Sequence, residues 1–175
     1  PKIEIDDGGV FIASHAYSTL NNIFMHVMRN AIDHGIESQE DRLAKQKSPH
    51  GNIQLDVKQQ ADKAELTIFD DGKGLALDKI FEKAVEKGLY EADNKPDDET
   101  IANLIFASGF STAEQVTEVS GRGVGMDAVK RFLEECRGNI EVKLTGGVEG
   151  DGFRPFKTVI TIPESFYQTA PSWVV

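Results

Sequence analysis

Three short stretches of this chain carry residue types that could do chemistry. In SGRGVGMDAVKRFLEECRG, Ser120 to Gly138, glycines at 121, 123 and 125 give way to an amphipathic helical pattern. Such a loop exposes backbone N–H groups and aims the positive end of a helix at whatever lies before it, which suits an anion and above all a phosphate. The same pattern also serves as plain punctuation at a helix start. In HVMRNAIDHG, His26, Asn30 and His34 are spaced four apart, so they form one helical stripe opposite an apolar side. Zinc does not suit that stripe, because His26 and His34 would stand about 12 Å apart at 1.5 Å per residue. Asn30 offers the oxygen that a hard ion such as Mg²⁺ prefers, and a solvated polar face is the alternative. In LTIFDDGKGL a strand runs into Asp70-Asp71-Gly72-Lys73-Gly74. A carboxylate there can accept hydrogen bonds from a base amine, and the glycines would let the backbone pass close to a flat ring; read alone, it is also an ordinary turn.

These groups need elements to hold them. Tyr17 to His34 repeats Leu20, Ile23, Phe24, Val27, Met28, Ala31 and Ile32 at three- and four-residue steps, which predicts a helix closed by Gly35. Lys2 to Ile5 reads as a strand, with Val10 to Ile12 as its hairpin partner across Asp6 to Gly9. Glu37 to Lys47 predicts a short helix anchored by Leu43. Asn52 to Val57 and Glu65 to Phe69 form an antiparallel pair. Asp78 to Lys87, Thr100 to Phe106 and Val124 to Arg137 read as helices, and Ile140 to Leu144 and Thr158 to Ile162 as final strands. The expected fold is α+β: a two-layer sandwich of a mixed, mostly antiparallel sheet with helices on one face, in a single domain over 1–175.

Composition narrows the partners. With 39% hydrophobic and 27% charged residues and no apolar run of membrane-spanning length, the chain reads as a globular domain without direct membrane insertion. A net charge of −10 argues against nucleic acid, and an anionic ligand would need a locally positive site or a metal. The single cysteine, Cys136, reads as a structural thiol beside Leu133, in keeping with a cytoplasmic setting. Beginning at Pro1, the chain reads as part of something longer.

Taken together and in this order, the three stretches resemble the ATP-binding fold of the gyrase, Hsp90, histidine-kinase and MutL superfamily (the Bergerat fold). Within it the chain is most similar to the catalytic domain of CheA-type chemotaxis histidine kinases, over roughly Ile23 to Glu141. HVMRNAIDHGIE resembles that family's N box, with His at its first position, DDGKGL its first glycine box, and GFSTAEQVTEVSGRGVGMDAVK its phenylalanine and second glycine boxes. The resemblance implies that Asn30 holds Mg²⁺ on the ATP phosphates and that His26 lies near the γ-phosphate as the catalytic partner. It implies that Arg29, Asp33 and His34 are on the nucleotide side, and that Asp70, with Gly72 and Gly74, reads adenine. Phe110, Ser111 and Thr112 would start a mobile ATP lid over 108–125. Gly121, Arg122, Gly123, Val124 and Gly125 would wrap the phosphates, with Met126 packing in the core or against the base.

By the same resemblance, the substrate is Mg-ATP and the γ-phosphoryl group goes to a histidine on a separate phosphoacceptor domain. A dimerisation domain of the parent protein, a response regulator, a coupling adaptor and a chemoreceptor are the implied partners. His15 and His50 sit in unsuitable sequence for a phosphoacceptor, so the fragment is not expected to phosphorylate itself. Two readings compete: a catalytically silent nucleotide-binding module of the same fold, and an ATP-closed clamp. The family's Gly-Thr before the last strand falls here on Pro155 and Phe156, so that Thr158 would have to substitute or Phe156 pack against the base. Clamp relatives use a glutamate where this chain has His26.

Overall fold

The computed structural model describes residues 1–108, 110, 126–148 and 152–169. A five-stranded mixed sheet has the order β1 (Lys2–Asp6), β3 (Asn52–Gln60), β4 (Lys63–Asp70), β6 (Phe156–Pro163), β5 (Asn139–Leu144). Only the β1–β3 pair is parallel. A separate pair joins β2 (Val10–Ile12) to β7 (Tyr167–Thr169). The helices are α1 (Ser14–Asn30), α2 (Gln39–Ala44), α3 (Leu77–Glu86), α4 (Asp98–Asn103) and α5 (Met126–Glu135).

Period-2 alternation turns Ile53, Leu55, Ile68, Ile140, Val142, Ile160 and Ile162 to one face of the sheet. There they join Leu20, Ile23 and Val27 of α1, Leu77 of α3, Ile101 of α4, and Val129 and Leu133 of α5 in one apolar cluster. The expected two-layer architecture is what forms. Side-chain caps fix the short helices: Ser38 Oγ accepts from Asp41 N at 3.1 Å, and Asp97 Oδ1 from Thr100 N at 2.9 Å. The Asn103 amide then ties α4 to the outer edge of β5, donating to Val142 O at 2.9 Å and accepting from Val142 N at 2.8 Å.

Three sequence expectations fail. Lys2 to Ile5 and Val10 to Ile12 do not form a hairpin; β1 lies along β3, while β2 finds its partner in β7, far along the chain and invisible to a local pattern. Leu43 does not anchor α2: it is 54% exposed, whereas Arg42 beside it is 1% exposed. The helix Tyr17 to His34 starts earlier, at Ser14, and its last residues, Ala31–Gly35, form a π turn closed by Ile36 N donating to Ala31 O at 2.8 Å. That wider turn buries Ala31 and leaves Ile32 41% exposed, although Ile32 was expected to face inward.

Candidate functional site

The site is built where the end of α1 meets the end of β4. In the α-helical part His26 is half-buried and Asn30, one turn on, is exposed, so both remain on the stripe that the spacing predicted. His34 leaves that stripe, because in a π turn four residues fall short of a full turn. Arg29, Asp33 and His34 are all exposed around this helix end.

Gly35 closes the π turn directly against Asp70. Its carbonyl accepts from Lys73 N at 3.0 Å, and a Cβ placed on Gly35 would stand 3.3 Å from Asp70 Oδ1. Asp70 Oδ1 accepts from Gly72 N at 3.0 Å; among the described residues Oδ2 carries no hydrogen bond. Burial pushes the Asp70 carboxyl above its ordinary pKa of 3.8; the Gly72 N–H pulls it down, and the nearby charges of Asp71 and Glu37 push it further up. A partly desolvated carboxylate with an open acceptor can read an amine donor strongly, since hydrogen bonds to a charged acceptor strengthen as water is excluded.

The glycines of this turn are required by the fold itself. A Cβ on Gly72 would lie 2.3 Å from Gly35 O and 2.6 Å from Asp70 Oδ1. Gly74 has φ +81, and a Cβ there would lie 2.4 Å from Arg154 O. The turn is thus wedged between α1 and the segment leading into β6, where Leu75 and Arg154 exchange backbone hydrogen bonds, each 2.9 Å.

Several supporting residues escaped the sequence reading. Asp71 Oδ2 pairs with Arg42 Nη2 at 2.7 Å, and its Oδ1 accepts from Asn52 N at 2.8 Å. Lys47 Nζ donates to Asp71 O at 3.0 Å, Gly72 O at 2.8 Å and Glu37 Oε1 at 2.9 Å. Arg154 pairs with Asp98 of α4 and donates from Nε to Gly146 O at 2.9 Å. One signal could have found Asp71: adjacent aspartates at a strand end point to opposite faces, so the second needs its own cation.

On the side of the last strand, Ile68 of β4 pairs with Thr158 of β6, which is 7% exposed and lies on the core face. One residue beyond the last pair, Phe69 with Lys157, the same register sets the half-buried Phe156 opposite Asp70. Phe110 is 2% exposed, with Lys83 Nζ 5.8 Å from its ring centroid, and Met126 at the start of α5 packs against the apolar cluster. Ser111, Thr112, Gly121, Arg122, Gly123, Val124 and Gly125 lie outside the described residues, as does nearly all of the lid expected over 108–125. Cys136 follows α5 and is half-buried.

Residues 17–165 match the family described as "Histidine kinase-, DNA gyrase B-, and HSP90-like ATPase". A 122-residue stretch is 49% identical to "Chemotaxis protein CheA" of Klebsiella aerogenes, covering 70% of this chain and 19% of that protein. The protein of the same name from Bacillus subtilis is 45% identical over 131 residues, covering 73% of this chain and 19% of its own length. The chain therefore spans about a fifth of the length of these curated relatives. Among solved structures, "Mycobacterial sensor histidine kinase MprB" superposes with a TM-score of 0.54 at 19% identity, over 97% of this chain and 83% of that one, which supports the fold. The resemblance to CheA-type domains drawn from the motifs is borne out by these matches.

Proposed function

This chain belongs to the histidine kinase-, DNA gyrase B- and HSP90-like ATPase family, an assignment that implies ATP binding, and from that premise we propose that it is the catalytic domain of a CheA-type protein-histidine kinase. It binds Mg-ATP and passes the γ-phosphoryl group to a histidine of a separate phosphoacceptor domain, in chemotaxis-like two-component signalling. The observation that carries this reading is the Asp70 carboxylate, partly desolvated at the end of β4 and set against the terminus of the helix that bears Asn30 and His26. That arrangement offers a base reader and a phosphate-side helix on one shared seam.

The donor set fits Mg²⁺. No group of three or more His, Cys, Asp or Glu among the described residues could cage a metal. Mg²⁺ needs no such cage, since it is commonly held by one or two protein oxygens together with substrate phosphates. The exposed Asn30 amide oxygen would hold it, and the ion would supply charge neutralisation for the transferring phosphoryl group. His26 would orient or deprotonate the incoming nucleophile, and the exposed Arg29 and His34 would flank the phosphates. The lid of Phe110, Ser111 and Thr112 and the loop from Gly121 to Gly125 would complete the enclosure. A dimerisation domain, a response regulator, an adaptor and a chemoreceptor, in a cytoplasmic setting, are the partners that this reading brings.

The test is calorimetric titration of the chain with ADP and AMPPNP, with and without Mg²⁺, followed by labelled ATP and a supplied acceptor domain. Micromolar, Mg²⁺-sensitive binding and label on the acceptor histidine are expected. Binding without transfer to any acceptor would favour the silent-module reading, for which Phe156, next to the Lys157 that pairs with Phe69, is the motivating observation.

A further inference from the structure

The pair Arg42 and Lys47 is the most heavily engaged charged cluster among the described residues, and no role in ligand recognition assigned above uses it. Arg42 is 1% exposed and spends its guanidinium on Ser48 O (2.7 Å), Glu37 Oε2 (3.2 Å), Asp71 O (3.3 Å) and Asp71 Oδ2 (2.7 Å). Lys47 holds the carbonyls of Asp71 and Gly72, the two residues that follow Asp70, and shares Glu37 Oε1 with Lys45. These contacts bridge 24 to 29 residues of sequence onto one turn. Gly72 is also the residue whose N–H holds Asp70 Oδ1.

The geometry is that of a clamp applied just behind the base-reading carboxylate. One side of Gly72 donates to Asp70, and its carbonyl is gripped by Lys47. Side-chain and loop ordering is part of what binding costs, so a turn already fixed from behind presents the open Asp70 oxygen with that cost removed.

Resting on the reading of Asp70 as the adenine contact, we propose that Arg42 and Lys47 are positioning residues for base selection. By clamping Asp71 and Gly72, they hold the Asp70 carboxylate where it distinguishes adenine from a purine without the exocyclic amine. Lys47 is 32% exposed, so it can be replaced without opening the core.

The experiment measures affinities of the whole chain for ADP and for purine riboside 5′-diphosphate, which lacks only the amine, in wild type, Lys47→Met and Asp70→Asn, with a thermal melt of each sample. Wild type should prefer ADP by about tenfold or more, the gain expected of a hydrogen bond to a charged acceptor. Lys47→Met should weaken ADP about three- to tenfold and leave the amine-free nucleotide within about twofold of wild type, so that selectivity narrows. If both nucleotides weaken together, or neither moves, while wild type and Asp70→Asn behave as expected, the positioning role is wrong and the base reader stands. If wild type shows no preference at all, the assignment of Asp70 fails and the clamp falls with it. Should Lys47→Met not fold, Lys47→Gln is read by the same ratio.

Discussion

Asp70→Asn should make this domain bind ADP less well while leaving it at least as stable. In the folded chain the carboxyl pKa is raised, first by burial and then by the charges of Asp71 and Glu37. A raised acid contributes stability that is fully present below its unfolded value and is lost as the pH rises through the folded value. Once the pH is above the folded value, the ionised Asp70 is therefore a cost to folding, and a neutral amide of the same shape removes it. The amide oxygen can still accept from Gly72 N, so the turn keeps its hydrogen bond. Binding moves the other way. Replacing a charged acceptor by a neutral one costs roughly 1–2 kcal/mol, or about 5- to 30-fold in the ADP dissociation constant. Calorimetry gives the affinity and a melting scan at pH 7 the stability, where each 1 kcal/mol corresponds to about 2–4 °C at this chain length. Weaker ADP with an unchanged or higher Tm is the expected pair. An ADP affinity equal to wild type, or an equal loss for inorganic tripolyphosphate, would refute the base contact. A Tm lower by several degrees would refute the claim that the carboxylate is held at a cost.

Asn30→Ala should remove the Mg²⁺ dependence of nucleotide affinity without altering the melt, because the residue is exposed at the end of α1; titration curves that still respond to Mg²⁺ would refute its role. Gly74→Ala forces a left-handed φ of +81 on alanine and drives its Cβ to 2.4 Å from Arg154 O, so a loss of at least about 1–3 kcal/mol is expected in denaturant titration, and a neutral change would contradict the wedge. Glu37 is held down to about 2 from an ordinary 4.5: burial pushes it up, and hydrogen bonds from Lys47, its own backbone and Lys45 outweigh that. A depressed acid stabilises above its unfolded value, so wild type should lose its advantage over Glu37→Gln as the pH falls from about 4.5 to 2. Melts at stepped pH read this directly, and a difference that stays constant across the window would count against the network.

The sheet and the long helix were legible because their signals are local. Ile53, Leu55 and Val57 alternate, and Leu20, Ile23 and Val27 recur with helical spacing, so each strip of apolar residues names its own element. Asp70, Gly72 and Gly74 were legible as a motif, but not that the glycines also make room for the carbonyls of Gly35 and Arg154. What stayed hidden depends on distant partners. β2 has no reason to avoid β1 until Tyr167 arrives, and Arg42 looks like a surface residue until Asp71, 29 positions later, is folded beside it. A buried guanidinium is tolerable only when its donors are satisfied, and no window on the sequence counts those acceptors. Even the π turn, which detaches His34 from the stripe, leaves Ala31 to Gly35 looking like ordinary helix.

The charge balance of the turn bears on how a chain of net charge −10 can accept a nucleotide. Behind the proposed base contact, Arg42, Lys45 and Lys47 meet Glu37 and Asp71. At the end proposed to take the base, the acids are therefore met by cations close at hand. Paired acids suit a neutral base, because they set less of a field against the phosphates. Neutralising the triphosphate then falls to the other end of the seam, where the exposed Arg29 and the Asn30-held ion would stand. On this division of labour, removing Lys47 alters which base is chosen and removing Asn30 alters whether Mg²⁺ matters. The two variants should therefore combine additively in ADP affinity; a double variant no weaker than the worse single one would show that the two ends are not independent.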